Sequence, residues 1–311
     1  MRSCRSILVS FLVSFLATLP FALPVTLLVV GSVPVAAAEL LPADRPINEA
    51  IDHYLRLGWV KAKVKPSPQV SRAGLIRRMT LDLAGRIPTV GETRAFVDSS
   101  SPTRWTGLAD RLLESPDFAY HHRNQLDLLL LATKKSDGEF RKYLLTAARE
   151  NRSWDVLFRQ MMIGREENSD EKPALAFLKA RAGSLDDLTN DTSVSFFGVN
   201  VSCAKCHDHP LVDDWTQDHF YGMALFFTRT YLTKKNTLAE KPTGGIKFKT
   251  TSGEEKQARF MFLTGTEVPE PKVELSAEQR KAMAAEVKRQ MKDAKAPAAK
   301  VPGFSPRAKL V

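Results

Sequence analysis

The sequence predicts a mainly α-helical protein, an irregular helical module with a small β-hairpin region near residues 244–263. Apolar residues recur at helical spacing through most of the chain, and capping residues or glycines stand at the ends of these runs. Strict alternation of apolar and polar residues is confined to one short stretch. Of the 311 residues, 43% are hydrophobic and 26% are charged. This composition excludes a collagen-like repeat, a disulfide-dense scaffold and a polytopic membrane protein.

The first 38 residues have the features of a signal peptide. Arg2 and Arg5 form a basic start, a long apolar run follows, and small residues precede a cleavage site after Ala38. Because the apolar run is longer than in most signal peptides, an uncleaved anchor is the alternative, and membrane contact is expected only in that case. In either case the sequence predicts an exported protein of the periplasm or cell envelope.

A helical domain is predicted at residues 46–232. Ser71 is an N-cap, Thr89 opens a capping box with Glu92, and Gly85 and Gly198 end the helices that precede them. Arg77 and Asp82 are expected to form a salt bridge that stabilises the turn after Gly85. The predicted helices are 46–57, 71–84, a short one from 89, 104–113, 117–132, 140–148, 154–163, 187–197 and 216–227.

Beyond the helical domain the pattern changes twice. Ile246, Phe248 and Thr250 alternate with lysines, and a turn at 251–254 and a second strand at 258–263 complete the predicted hairpin. Residues 269–311 are predicted to be a basic flexible linker, with a solvated helix at 276–292, that leads into a truncated downstream domain. From residue 278 onward there are nine basic and three acidic residues. Nucleic acid is not the expected partner, since no aromatic residues interleave the lysines and the chain is exported.

Two of the three cysteines belong to one motif, Cys203-Ala204-Lys205-Cys206-His207. Cys-x-x-Cys-His is the attachment sequence of c-type haem. The two thiols reach the two vinyl groups on one edge of the porphyrin, and the adjacent histidine places a ring nitrogen on the iron. The predicted cofactor is therefore covalent haem c on Cys203 and Cys206, with His207 as an axial ligand. His219 and Met223 are the candidate ligands for the opposite face of the iron.

Two other interpretations of the motif stay open. Cys203 and Cys206 could form a short disulfide in an oxidising compartment. Zinc is the other alternative cofactor, because the five nearby thiol and imidazole groups include enough ligands for a tetrahedral site. Those five residues are Cys203, Cys206, His207, His209 and His219.

The residues around the motif resemble a known family. The segments 198–210 and 215–227, GVNVSCAKCHDHP and WTQDHFYGMALFF, are similar to one signature of the planctomycete cytochrome-associated family, domain-of-unknown-function family 1549. The segment 77–89, RRMTLDLAGRIPT, is similar to its other signature. The resemblance spans about residues 47–263.

The resemblance implies an exported bacterial protein whose relatives often carry a cytochrome c domain upstream and another domain downstream. No upstream cytochrome domain fits between residues 38 and 47 of this chain. The family has no established reaction, and the sequence presents no catalytic residue. The predicted function is electron transfer with a redox partner protein or a larger envelope complex. The alternative is a non-enzymatic envelope domain whose Cys/His cluster binds zinc or forms a disulfide.

Overall fold

The computed structural model describes residues 40–132, 134, 138–271 and 273–311. The predicted signal peptide, residues 1–38, lies outside this part. The chain divides into two compact units, residues 1–68 and 69–311. The helical domain predicted at 46–232 therefore crosses a unit boundary, because its first helix belongs to the first unit. No described helix has the length and apolar character needed to span a bilayer.

The first unit contains one described helix, α1, which extends from Ile47 to Ala62. It begins one residue later and ends five residues later than the predicted helix at 46–57. It ends where Lys63 adopts a left-handed conformation with φ of 53°. None of its residues is buried.

The second unit is built mostly of helices, as the sequence predicts. Ser71 caps α2 (Arg72–Ala84), and the capping box of Thr89 and Glu92 begins α3 (Val90–Asp98). Gly85 ends α2 and Gly198 ends α9 (Leu185–Phe197), both in the left-handed conformation. The described helices of this unit are α2 Arg72–Ala84, α3 Val90–Asp98, α4 Arg104–Leu113, α5 Pro116–Leu131, α6 Gly138–Arg149, α7 Trp154–Ile163, α8 Ala176–Lys179, α9 Leu185–Phe197, α10 Gln217–Thr228, α11 Ala277–Lys292 and α12 Pro306–Leu310, with 3₁₀ helices at Lys172–Leu175 and Ser202–Lys205.

Two apolar clusters form most of the core. The larger one joins α5, α6, α7, α9 and α10, and its side chains include Leu130, Phe140, Met161, Phe177 and Phe226. The smaller one lies between α2, α3 and α4 and contains Ile76, Phe96, Leu108 and Leu112. Because α10 reaches the centre of the larger cluster, it provides a rigid base for the loop that precedes it.

Two antiparallel hairpins follow α10. Strands β1 Thr230–Leu232 and β2 Leu238–Glu240 pair in one, and β3 Lys247–Lys249 and β4 Glu255–Gln257 pair in the other. The second hairpin and its turn confirm the predicted β region, but its second strand lies at 255–257 rather than 258–263. The predicted position was wrong because the apolar residues of 258–263 pack into the core after the strand and are not part of it.

The end of the chain differs from the predicted flexible linker. The helix predicted at 276–292 is α11, and the short α12 packs against α7 and α10. Arg307 is only 8% exposed and donates to Glu240 and to the Met162 carbonyl, while Leu310 belongs to the core. Composition alone indicated a solvated tail because lysines outnumber the few apolar anchors.

Candidate functional site

The cysteine motif forms a single tight turn between α9 and α10. Gly198 ends α9, and the chain then enters the 3₁₀ helix Ser202–Lys205. The carbonyl oxygen of Cys203 accepts from the backbone N–H of Cys206 at 3.3 Å and of His207 at 3.4 Å. The motif thus lies on one turn that contains one hydrogen bond of 3₁₀ type and one of α-helical type.

Two apolar side chains fix this turn to the core. Val201 and Ala204 are fully buried and pack against Phe220 and Ala224 of α10. Ala204 occupies one of the two positions that the motif leaves open to any residue. Its burial therefore comes from the fold around the motif and not from the attachment chemistry.

Polar groups of α10 hold the same turn from the other side. The Lys205 carbonyl accepts from the Gln217 side-chain amide and from the Tyr221 hydroxyl, each at 3.2 Å. The Gln217 amide oxygen accepts from the N–H of Thr251 at 3.1 Å. The buried Gln217 thus connects the motif, α10 and the second hairpin. The sequence analysis did not predict the roles of Gln217 and Tyr221. Only their four-residue spacing could have indicated that they lie on the same face of α10.

Two hydrogen bonds donated by backbone N–H groups hold the loop after the motif. The Asp208 carboxylate accepts from the N–H of Gln217 at 3.2 Å, at the first turn of α10. The N–H of His209 donates to the Trp215 carbonyl at 2.8 Å. A carboxylate at a helix N-terminus is favoured by the free N–H groups and the helix dipole.

While the backbone is fixed, the reactive side chains face solvent. Cys203, Cys206 and His207 are all exposed, and both cysteines are free thiols. Neighbouring Lys205 forms a salt bridge with Asp186, with Nζ and Oδ2 2.5 Å apart, and this hydrogen bond raises the pKa of the lysine. The charge beside the motif is thus locally neutralised.

His207 is the histidine of this region whose hydrogen bond leaves a ring nitrogen available as a metal ligand. Its Nδ1 lies 2.7 Å from the Asp208 carbonyl oxygen. A carbonyl oxygen only accepts, so Nδ1 carries the proton and the Nε2 lone pair stays free. This is the arrangement typical of metal-ligating histidines, in which the second nitrogen is fixed by a backbone or carboxylate acceptor.

His209 and His219 use their ring nitrogens differently. The N–H of Leu211 donates to Nδ1 of His209 at 3.3 Å, and the N–H of Thr216 donates to Nδ1 of His219 at 3.2 Å. In each neutral ring the accepting Nδ1 leaves the proton on Nε2. Neither ring offers a second lone pair unless its hydrogen bond breaks. The structure describes no group of three or more His, Cys, Asp or Glu residues placed to hold a metal ion.

An apolar cavity of about 610 Å³ is lined by residues that precede and follow the motif in the sequence. Fully buried Met223 lines it, together with Val199, which precedes the motif, and Trp215, whose carbonyl accepts from His209. His207 is not among its lining residues, and His219 lies at a different cleft of about 250 Å³. The two predicted ligands for the far side of the iron, His219 and Met223, are therefore separated between two cavities.

The first signature segment has a structural role. The turn after Gly85 is stabilised by Arg86, which donates to Glu92 at 2.9 Å and to Asp117 at 2.7 Å. Arg77 and Asp82, which were expected to do this, form no ion pair in the described part of the chain. Those two side chains lie at exposed positions of α2, whereas the Arg86 side chain contacts both Glu92 and Asp117.

The sequence model of one family matches residues 50–231. The match includes both signature segments and more than half of the chain. The chain belongs to the PSCyt2 family, described as protein of unknown function (DUF1549). No curated protein and no solved structure matches the chain. Two signatures carry the PSCyt2 resemblance. One of them thus contains a turn stabilised by ion pairs, and the other contains a turn that exposes two thiols and an imidazole.

Proposed function

We propose that this PSCyt2 protein is an exported c-type-cytochrome-like electron carrier. Covalent haem would be attached through Cys203 and Cys206, with His207 as the axial ligand. The observation that carries the proposal is the orientation of His207, whose Nδ1 is held by the Asp208 carbonyl while Nε2 stays free. When bound, the haem would supply reversible one-electron chemistry.

The two thiols fit the attachment step. Both are free and exposed, and both lie on one tight turn whose backbone is held by Val201, Ala204 and the Gln217 side chain. An immobile turn lowers the entropy that is lost when two thioether bonds and an iron ligand form together. Solvent-facing thiols also leave room for a planar macrocycle and for the machinery that attaches it.

Two residues, His219 and Met223, are candidates for the second iron ligand, and one fits this role better than the other. His219 would have to give up its bond to the Thr216 N–H, which is part of the N-terminal cap of α10. Met223 would not have to break such a hydrogen bond, and it lines an apolar cavity of a volume typical of ligand sites. We therefore favour Met223 over His219 as the residue that would approach the macrocycle.

Location and partners follow from the proposed cofactor. Haem attachment to such a motif is expected outside the cytoplasmic membrane, which agrees with the predicted signal peptide in the periplasm or envelope. Exposed haem-bearing side chains favour short-lived contact with a redox partner protein or with a larger envelope complex. The alternative function, a non-enzymatic envelope domain with zinc or a disulfide at the same residues, makes opposite predictions in the test below.

The test is export of the full chain in a bacterium that makes c-type cytochromes. After denaturing electrophoresis, a peroxidase stain for haem is expected to show a band at the mass of the protein. Cys206→Ser should remove most of the covalent haem, because one thioether then lacks its sulfur. His207→Ala should leave the thiols intact but change the absorption spectrum of the bound haem.

Cys4→Ser is the matched control, because it removes the third cysteine, which lies in the predicted signal peptide. Its haem band should equal that of the unchanged chain. One equivalent of zinc without haem would instead support the zinc alternative. Loss of both reactive thiols without zinc or haem would support the disulfide. Either result overturns the proposed electron carrier.

A further inference from the structure

The clearest unused feature of the chain is the apolar face of α1 in the first unit. Ile47, Ile51, Tyr54 and Leu55 recur at helical spacing, and their exposed fractions are 75%, 52%, 41% and 47%. A helix with such a face normally buries it in a core. In α1 no residue is buried, so the described residues of the first unit leave this face uncovered.

The end of α1 adds an apolar cleft with a fixed geometry. The N–H of Val64 donates to the Trp59 carbonyl at 3.0 Å, and the N–H of Lys63 donates to the Val60 carbonyl at 3.1 Å. This pair of bonds and the left-handed Lys63 form a Schellman motif, in which the residue after the turn contacts the last helical turn. Trp59, Val60 and Val64 accordingly line one cleft of about 490 Å³.

The charges around this cleft are unbalanced. Along the helix the acidic residues are already paired, Glu49 with Arg45 and Asp52 with Arg56. Three exposed lysines remain at its C-terminal end without an ion pair in the described chain, namely Lys61, Lys63 and Lys65. Apolar surface, a tryptophan and a local charge of about three positive units therefore coincide.

We infer that α1 and the cleft at its end dock onto the surface of an anionic phospholipid membrane. Aliphatic residues on one helix face enter the headgroup boundary, tryptophan prefers that depth, and lysines extend to the phosphates. The lysines supply charge complementarity that an apolar protein surface would lack. This inference does not depend on haem at the cysteine motif.

The test uses the exported full chain and vesicles of phosphatidylglycerol mixed with an equal amount of phosphatidylcholine. The protein should sediment with these vesicles and not with pure phosphatidylcholine, and added salt should release it. The triple variant Lys61→Glu, Lys63→Glu, Lys65→Glu should weaken binding by about 100-fold or more, since each lysine near an anionic surface contributes about fivefold. Circular dichroism checks that the variant is folded.

The matched control changes three exposed lysines of α11 in the same way, Lys281→Glu, Lys288→Glu and Lys292→Glu. It should bind like the unchanged chain. Vesicles should also shift the tryptophan emission to shorter wavelength, and Trp59→Phe should abolish the shift while leaving most of the binding. Equal loss in the control, equal binding to neutral vesicles, or an emission shift that survives Trp59→Phe would each overturn the inference.

Discussion

The two signature segments of this PSCyt2 protein use polar groups in opposite ways. In the turn after α2, the charged side chains form ion pairs with each other, because Arg86 binds both Glu92 and Asp117. In the cysteine motif, polar groups of α10 bind the backbone of the turn, and its two thiols stay free and exposed. Both turns are held by hydrogen bonds, but the second exposes two thiols and an imidazole. The comparison teaches that a turn anchored through its backbone can leave its reactive side chains exposed.

The largest expected effect tests whether the cysteine turn is anchored through Ala204. Ala204→Glu would place a carboxylate among the apolar side chains of Phe220 and Ala224. We expect the free energy of unfolding to fall by about 3 kcal/mol. Chemical denaturation measures this value. Lys205→Glu, at the adjacent position of the motif, is the control and should change stability by less than about 1 kcal/mol. Similar values for the two variants would show that the turn is not held by Ala204.

The next effect concerns the turn after α2. Arg86→Leu removes three hydrogen bonds to carboxylates, two to Glu92 and one to Asp117, and leaves both acids without their cation. Because these side chains are partly exposed, we expect a loss of about 2 kcal/mol. Arg78→Leu, at an exposed position of α2, serves as the control and should be nearly neutral. Equal thermal midpoints for the two variants would contradict the structural role of Arg86.

Acid should weaken the same turn over a defined range. The hydrogen bond from Arg86, with that from the Thr89 N–H, holds the pKa of Glu92 at about 2, below its ordinary value of 4.5. A lowered pKa in the folded state stabilises the protein above the unfolded value, and this stabilisation is lost as the pH falls from about 4.5 to 2. Partial exposure limits the loss to about 2 kcal/mol. In Glu92→Gln, the slope of unfolding free energy against pH should be shallower in this range, and an unchanged slope would contradict the assignment.

Local signals predicted the helices well and the surroundings of the site poorly. Ser71, Thr89 and Gly198 mark helix ends through hydrogen bonds or backbone angles that involve near neighbours in the chain, so a sequence contains them. The motif likewise predicts the Cys203–His207 turn. The contact of Gln217 with Lys205 and Thr251 spans 12 and 34 residues, and no local pattern encodes it. The buried Arg307 was missed for the same reason, since its partner Glu240 lies 67 residues away.

The smallest effect separates the polar anchor of the cysteine turn from its apolar anchor. Tyr221→Phe removes the hydroxyl that donates to the Lys205 carbonyl and keeps the ring that stacks on Phe248 with centroids 4.1 Å apart. Gln217 still donates to the same carbonyl, so we expect a loss of about 1 kcal/mol in unfolding free energy. Hydrogen exchange at the N–H of Cys206 should quicken more than at the N–H of Ile76 in the distant core. Tyr231→Phe is the matched control, because its hydroxyl donates to Gln290 far from the motif. It should lower stability without changing exchange at Cys206. If both variants change that exchange equally, the hydroxyl of Tyr221 has no particular part in holding the turn.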